Sequence, residues 1–249
     1  MVLGSSRANR RYTMVDKEKN LFIIGDVHGC WHTYSALLGH WEPDTELLIQ
    51  VGDLVDRGRY SHKCLETSRN LELTHPDGVV FLKGNHELMM IKFLQGKDPR
   101  DHWIVNGGRE TLLGFAEAVL DILSWRGWLE ERGLVWENQH VLVSHAGVSF
   151  TENPFDEENR QGVLWNRGTL RDVGKIQVIG HTPQIGGKAA FTESPPSWNV
   201  DTGAFRGICL TGIKMDASGV VLEEINIPTD PRDIYEKRVD HLAYALFTK

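Results

Sequence analysis

Five apolar runs in this chain each stop at a turn that combines glycine with a carboxylate, imidazole or amide, and that repetition constrains the fold more than any bulk property. Leu21-Phe22-Ile23-Ile24 leads into Gly25-Asp26-Val27-His28-Gly29, and Leu47-Leu48-Ile49-Gln50-Val51 into Gly52-Asp53-Leu54-Val55-Asp56-Arg57-Gly58. Val79-Val80-Phe81-Leu82 precedes Gly84-Asn85-His86-Glu87, Val141-Leu142-Val143 precedes His145-Ala146-Gly147, and Ile176-Gln177-Val178-Ile179 precedes Gly180-His181-Thr182. Short, branched apolar runs of this kind suit buried strands. Each turn then leaves the carboxyl end of a strand, where open α/β sheets place their ligands. Glycine lets such turns take positive φ and lets the backbone approach an ion closely.

Helix-like stretches fall between the early runs, at about 31–40, 61–73 and 87–95, which gives the βαβ rhythm of a parallel sheet. From Asp101 to Arg132 the apolar residues Leu112, Leu113, Phe115, Ala116, Val119, Leu120 and Leu123 recur at helical spacing, so a helical insertion is predicted there, either a partial lid or a cover on the sheet. Trp103, Trp125 and Trp128 are read as its packing residues. After Ser197 the pattern is strand-rich, with Asp216-Ala217-Ser218-Gly219 as a hairpin turn, and a second sheet packed on the first is expected from this part. The domain is placed at 20–228, after an arm over 1–19 expected to be disordered and before a charged tail over 229–249. The 249 residues suffice for one such core.

Composition excludes several classes of function. With 27 basic against 34 acidic residues the net charge is −7, which argues against a general nucleic-acid-binding surface. No stretch approaches the roughly 20 apolar residues of a membrane helix, so no membrane partner is expected. Cys30, Cys64 and Cys209 have neither disulfide-framework nor zinc-site spacing, which fits a reducing, cytoplasmic location.

The turn residues suggest metal ions. Asp26 and Asp53 at adjacent strand ends would repel each other, and His28, His145 and His181 brought to the same place would lack partners. Divalent cations remove both problems. Carboxylate, imidazole and amide oxygen without thiolate suit manganese, iron or zinc. Two such ions about 3.5 to 4 Å apart can hold a bridging hydroxide and stabilise both the attacking and the leaving oxygen of a phosphoryl transfer. The net positive charge left over, raised by Arg57 and Arg167, favours an anionic substrate.

These segments resemble the calcineurin-like metallophosphoesterases, in particular the compact bacterial and bacteriophage form of the phosphoprotein-phosphatase branch. The resemblance runs from about Leu21 to Cys209 and is most specific across 52–58 and 84–87. It implies an α/β/β/α sandwich, two packed mixed β-sheets flanked by helices, and two divalent metal ions, with manganese first among the choices. It further implies that Asp26, His28 and Asp53 hold one metal and that Asp53, Asn85, His145 and His181 hold the other. His86, oriented by Asp56, would be the general acid, and Arg57 and Arg167 would bind the phosphoryl group. One departure is Lys83, where the eukaryotic protein phosphatases carry arginine, which puts regulatory-subunit binding of their kind in doubt.

Three functions follow from different readings. The first is hydrolysis of phosphoserine or phosphothreonine in proteins, and the second is symmetrical hydrolysis of dinucleoside tetraphosphates, to which Asp201-Thr202-Gly203 points. The third, an inactive module that binds phosphorylated partners, would lack a ligand or the acid, and this chain lacks neither. Glu87 is read as a structural acid in a first helical turn, Asp201 as a turn or pocket residue, and Cys30 as packing.

Overall fold

The computed structural model describes residues 11–13, 19–98 and 101–235. The apolar runs form strands: β1 (Arg11–Thr13), β2 (Asn20–Ile24), β3 (Glu46–Gln50), β4 (Val79–Phe81), β5 (Val135–Glu137), β6 (Val141–Ser144), β7 (Ile176–Ile179), β8 (Ala190–Glu193), β9 (Pro196–Asn199), β10 (Cys209–Met215) and β11 (Val221–Pro228). They make a five-stranded sheet ordered β11-β10-β2-β3-β4 and a six-stranded sheet ordered β1-β5-β6-β7-β9-β8. Both are mixed. In the first, β2, β3 and β4 run parallel while β10 and β11 are antiparallel; in the second, β6, β7 and β9 run parallel.

Burial explains why the runs read as continuously apolar. Leu21 and Ile23 of β2 face the second sheet and pack with Val141, Val143 and Val178, whereas Phe22 and Ile24 face the helical layer with Tyr34, Leu37 and Leu65. Both faces of the strand are therefore buried, and no polar alternation survives. The helices of that layer are α1 (Trp31–Leu38), α2 (Ser61–Thr74) and α3 (Asn85–Leu94). A third cluster, including Leu134, Leu142 and Leu164, covers the outer side of the second sheet.

The division of strands between sheets differs from the expectation. The hairpin β10–β11, which the sequence assigns to a second sheet, pairs onto β2 of the first, whereas β6 and β7, grouped by pattern with the early strands, lead the second sheet. An apolar run specifies that a strand is buried but not which neighbour it hydrogen-bonds to. The turn itself is as predicted: Asp216 Oδ1 accepts from the backbone N of Ser218 and Val220, and Gly219 has φ +92°.

Two terminal expectations change as well. Within the arm over 1–19, Arg11–Thr13 forms an edge strand parallel to β5; residues 1–10 and 14–18 lie outside the described residues, as do 236–249 of the tail. The described start of the tail is not featureless. The Asp233 carboxylate is buried and accepts from the backbone N of His32 and Thr33 at 2.9 Å each and from Thr33 Oγ1 at 2.7 Å. It satisfies the free N–H groups at the start of α1.

The insertion is helical, with a π-helical turn at Ile104–Gly108, α4 (Arg109–Glu117) and α5 (Arg126–Glu130). It packs α4 on α2 and α5 on α3. Among the described residues no helix is long and apolar enough to cross a membrane.

Candidate metal centre

Parallel pairing brings the ends of β2, β3 and β4 side by side, and likewise β6 and β7, so the five turns meet at one end of the sandwich. Asp53 lies at the meeting point. Its Oδ1 accepts the backbone N–H of His86 at 3.0 Å, and its Oδ2 lies 3.4 Å from His28 Nε2, 3.5 Å from His145 Nε2 and 3.9 Å from His86 Nε2. One carboxylate oxygen thus faces imidazole nitrogens from three different turns. His145 Nε2 also lies 2.9 Å from Asn85 Oδ1 and 3.1 Å from His181 Nδ1.

Two tight groups of ligand atoms result, His28-Asp53-His86 and Asp53-His145-His181, each within 4.8 Å and sharing Asp53. The second holds three of the four residues expected there, and Oδ1 of the fourth, Asn85, lies 2.9 Å from His145 Nε2. The first differs: it includes His86, expected as the acid, and omits Asp26. The Asp26 carboxylate is buried beside this group and accepts the backbone N–H of His181 at 3.2 and 3.1 Å. Two glycines make room for these carboxylates. A Cβ at Gly180 would collide with Asp26 Oδ1, and one at Gly84 would collide with Asp53 Oδ1.

The electrostatics fit divalent cations. Burial raises the carboxyl pKa of Asp26, with Asp201 and Asp53 adding to the effect, and burial followed by Glu87 raises that of Asp53. Burial lowers all four imidazoles. Arg57 adds to this for His28 and His86, His181 does so for His145, and Arg167 does so for His181, which is pushed down to about 3. Lowered values favour the unprotonated form that a metal requires in the three expected imidazole ligands, His28, His145 and His181. A divalent cation among the buried carboxylates would stabilise their charge. His28 Nδ1 donates to the Val55 carbonyl at 2.8 Å, which leaves its Nε2 lone pair pointing toward Asp53. All three cysteines are buried elsewhere as free thiols.

The turns are strained where the chemistry sits. His28, Asp53, Asp56, Arg57 and His181 have φ of +45, +58, +76, +70 and +69°, a conformation costing about 1–3 kcal/mol for each non-glycine residue. Glu87 opposes that cost. Its carboxylate accepts the backbone N–H of Asp53, Leu54 and Gly84 at 2.8 Å each and of Val55 at 3.3 Å, so it ties the second and third turns together. Its place in the first turn of α3 is as read from sequence, but its partners are mostly remote.

Asp56 and His86 form a buried pair, with His86 Nδ1 2.6 Å from Asp56 Oδ2. The insertion completes it. Trp103 Nε1 donates to both Asp56 oxygens at 3.0 and 2.9 Å, and Thr111 Oγ1 donates to Oδ1 at 2.8 Å. Burial raises the Asp56 pKa, and these two donors pull it back. Burial and the positive charge of Arg57 lower the His86 pKa, and the Asp56 carboxylate beside Nδ1 acts in the opposite sense. The position of the shared proton depends on how well Trp103 and Thr111 stabilise the Asp56 charge. Trp103 packs against Phe93, so the packing reading was incomplete rather than wrong.

Arg57 Nη1 lies 2.5 Å from His28 Nε2, and its Cζ stands 4.3 Å above the ring of Phe205. Arg167 is exposed beside His181, donating to Thr182 Oγ1 at 3.2 Å. Lys83 lies away from the cluster, paired with Glu157 at 2.7 Å. All ten residues singled out from sequence thus converge. Trp103, Thr111 and Phe205 were missed because no local pattern marks a contact made across 47 to 55 positions of chain or between loops.

The arrangement can bind and polarise a phosphoryl group, and known proteins agree with that class. Residues 19–208 match the family model of the calcineurin-like phosphoesterases. Serine/threonine-protein phosphatase 2 of Salmonella typhimurium is 32% identical over 192 residues, covering 73% of this chain and 82% of that protein. A symmetrical bis(5'-nucleosyl)-tetraphosphatase of Glaesserella parasuis is 32% identical over 135 residues, 51% of this chain and 44% of that one. The solved protein serine/threonine phosphatase from Saccharomyces cerevisiae superposes with a TM-score of 0.62 at 15% identity, covering 90% of this chain and 84% of that one, and shows a shared fold. The chain belongs to the calcineurin-like phosphoesterase family. It is a metal-dependent phosphoesterase with His and Asp groups placed for metal binding.

Proposed function

We propose that the chain hydrolyses phosphate monoesters, with phosphoserine and phosphothreonine in proteins as its main substrates, in the cytoplasm. The observation that carries this reading is Asp53 Oδ2, faced by His28, His145 and His86 within 3.9 Å and flanked by the buried His86–Asp56 pair. Asp26, His28 and Asp53 would hold one divalent ion, and Asp53, Asn85, His145 and His181 the other, with manganese preferred and iron or zinc compatible. Bound there, the ions supply Lewis acidity toward the phosphoryl oxygens and lower the pKa of water.

The chain's own groups do the rest. Arg57 and Arg167 bind the phosphoryl oxygens, for which the planar guanidinium fork is suited. His86 gives its Nε2 proton to the departing oxygen while Nδ1 remains hydrogen-bonded to Asp56, whose charge steadies the imidazolium beforehand. Trp103 and Thr111 hold Asp56 in that charged, accepting state.

A protein substrate is preferred because the likeness to the Salmonella protein phosphatase joins 32% identity to 82% of that enzyme's length, whereas the Glaesserella tetraphosphatase is matched at that identity over 44% of its length. The second reading is symmetrical hydrolysis of dinucleoside tetraphosphates, which Asp201-Thr202-Gly203 favours. Measuring kcat/KM for a phosphoserine peptide and for diadenosine tetraphosphate side by side separates them. A peptide preference is expected, and a roughly thousandfold preference for the dinucleotide overturns the assignment.

A further inference from the structure

A cavity of about 670 Å³ opens beside Arg57, and none of the proposed metal ligands lines it. Gly107, Arg109 and Glu110 of the insertion wall it on one side, and Phe205 and Arg206 on the other. Its size is that of a ligand pocket.

Connectivity gives the cavity a direction. The backbone N of Arg57 donates to the Gly107 carbonyl at 3.1 Å. The insertion that supplies this wall also carries Trp103 and Thr111, which hold Asp56 and through it His86. The insertion thus walls the cavity and also holds the proton donor, so a substrate whose scissile phosphate sits on Arg57 can extend its departing alcohol part into the cavity.

Charge gives it a preference. Three guanidinium groups, Arg57, Arg109 and Arg206, line it against one carboxylate, Glu110, in a chain of net charge −7. The Phe205 ring carries two of these cations, with Arg57 Cζ 4.3 Å and Arg206 Cζ 5.2 Å from its centroid. Arg206 is exposed, and the carboxylate that feels its charge is the buried Asp201. The same ring is poorly placed to stack a nucleobase, since Arg57 lies over it and His28 meets it edge to face at 5.0 Å.

We infer that this cavity is an anion-selective subsite for the leaving-group part of the substrate, in which Arg206 reads a second negative charge beyond the scissile phosphate. The inference rests on the proposed phosphoryl-binding role of Arg57. On a phosphoprotein the second charge is an Asp or Glu side chain next to the phosphorylated residue; on a dinucleotide it is a further phosphate. A guanidinium recognises either anion by the same chemistry.

The test compares ratios within each enzyme form, so that general losses cancel. Wild type, Arg206→Gln and Arg206→Glu are assayed on two phosphoserine peptides that differ only in Asp or Lys at the flanking positions, and on diadenosine tetraphosphate relative to p-nitrophenyl phosphate. Wild type should prefer the Asp peptide by about tenfold, Arg206→Gln should flatten that ratio and Arg206→Glu should invert it. A flat peptide ratio combined with about a tenfold fall in the dinucleotide ratio for Arg206→Glu identifies the anion as a phosphate and still supports the subsite. Ratios identical in all three forms overturn it, and continued turnover of either peptide then leaves the protein-phosphatase reading intact. If no phosphopeptide is cleaved, that reading fails and the dinucleotide ratio alone decides the subsite.

Discussion

The strand-end turns and the helical insertion meet at Asp56, and they reach it in opposite ways. The turns bring their side chains by local geometry: each functional residue sits within a few positions of a buried strand, at a glycine or a positive φ. The insertion brings Trp103 and Thr111 from far along the chain onto a carboxylate whose position the turns have already set. The difference separates two jobs. On the proposed reading, groups on the turns would define where ions and phosphoryl oxygens sit, while groups on the insertion would tune the proton donor and wall the leaving-group side.

Variants can break that separation. Asp53→Asn strikes the shared point of both ligand groups and should give the largest loss, on the order of 10⁴-fold or more in kcat/KM, together with loss of bound metal by elemental analysis. Retention of two metals per chain would remove Asp53 from its bridging place. His86→Asn should keep the metals and lower kcat by about 10²–10³-fold for alkyl phosphates, and less for p-nitrophenyl phosphate, whose leaving group needs no proton. An equal fall on both substrates would count against the acid role.

Trp103→Phe is the direct test of the insertion. It keeps the packing against Phe93 but removes the donor to Asp56. About a tenfold loss on alkyl phosphates, with metal content unchanged, is the expected result. A loss of metal instead would merge the two regions into one. Glu87→Gln should act mainly on stability, because an amide NH₂ would face backbone N–H donors now held by a carboxylate. A destabilisation of about 2–3 kcal/mol, read as a lower midpoint in urea, is expected. No shift would mean that the positive φ values at Asp53 and Asp56 are held by something else.

Much of the site was legible because its residues lie next to what positions them. Asp26, His28, Asp53, Asn85, His145 and His181 follow buried strands directly, so apolar runs and glycines mark their places. The sheet partition was not legible: β10 and β11 carry the same strand signal whichever sheet they join, and only pairing with β2 decides. Trp103 reads as core because an indole buried by packing and one buried to reach Asp56 look alike in sequence. Asp233 is similar, since its contact with the first turn of α1 spans 200 positions.

The central claim is that Asp53 divides two metal positions and that His86 belongs to neither, although His86 Nε2 comes within 3.9 Å of Asp53 Oδ2. Anomalous scattering from crystals of the manganese-loaded protein tests it directly. The account predicts two peaks flanking Asp53, one coordinated by Asp26 and His28 and the other by Asn85, His145 and His181, with His86 Nδ1 still bonded to Asp56. A single peak, or a peak coordinated by His86 in place of Asp26, would contradict it.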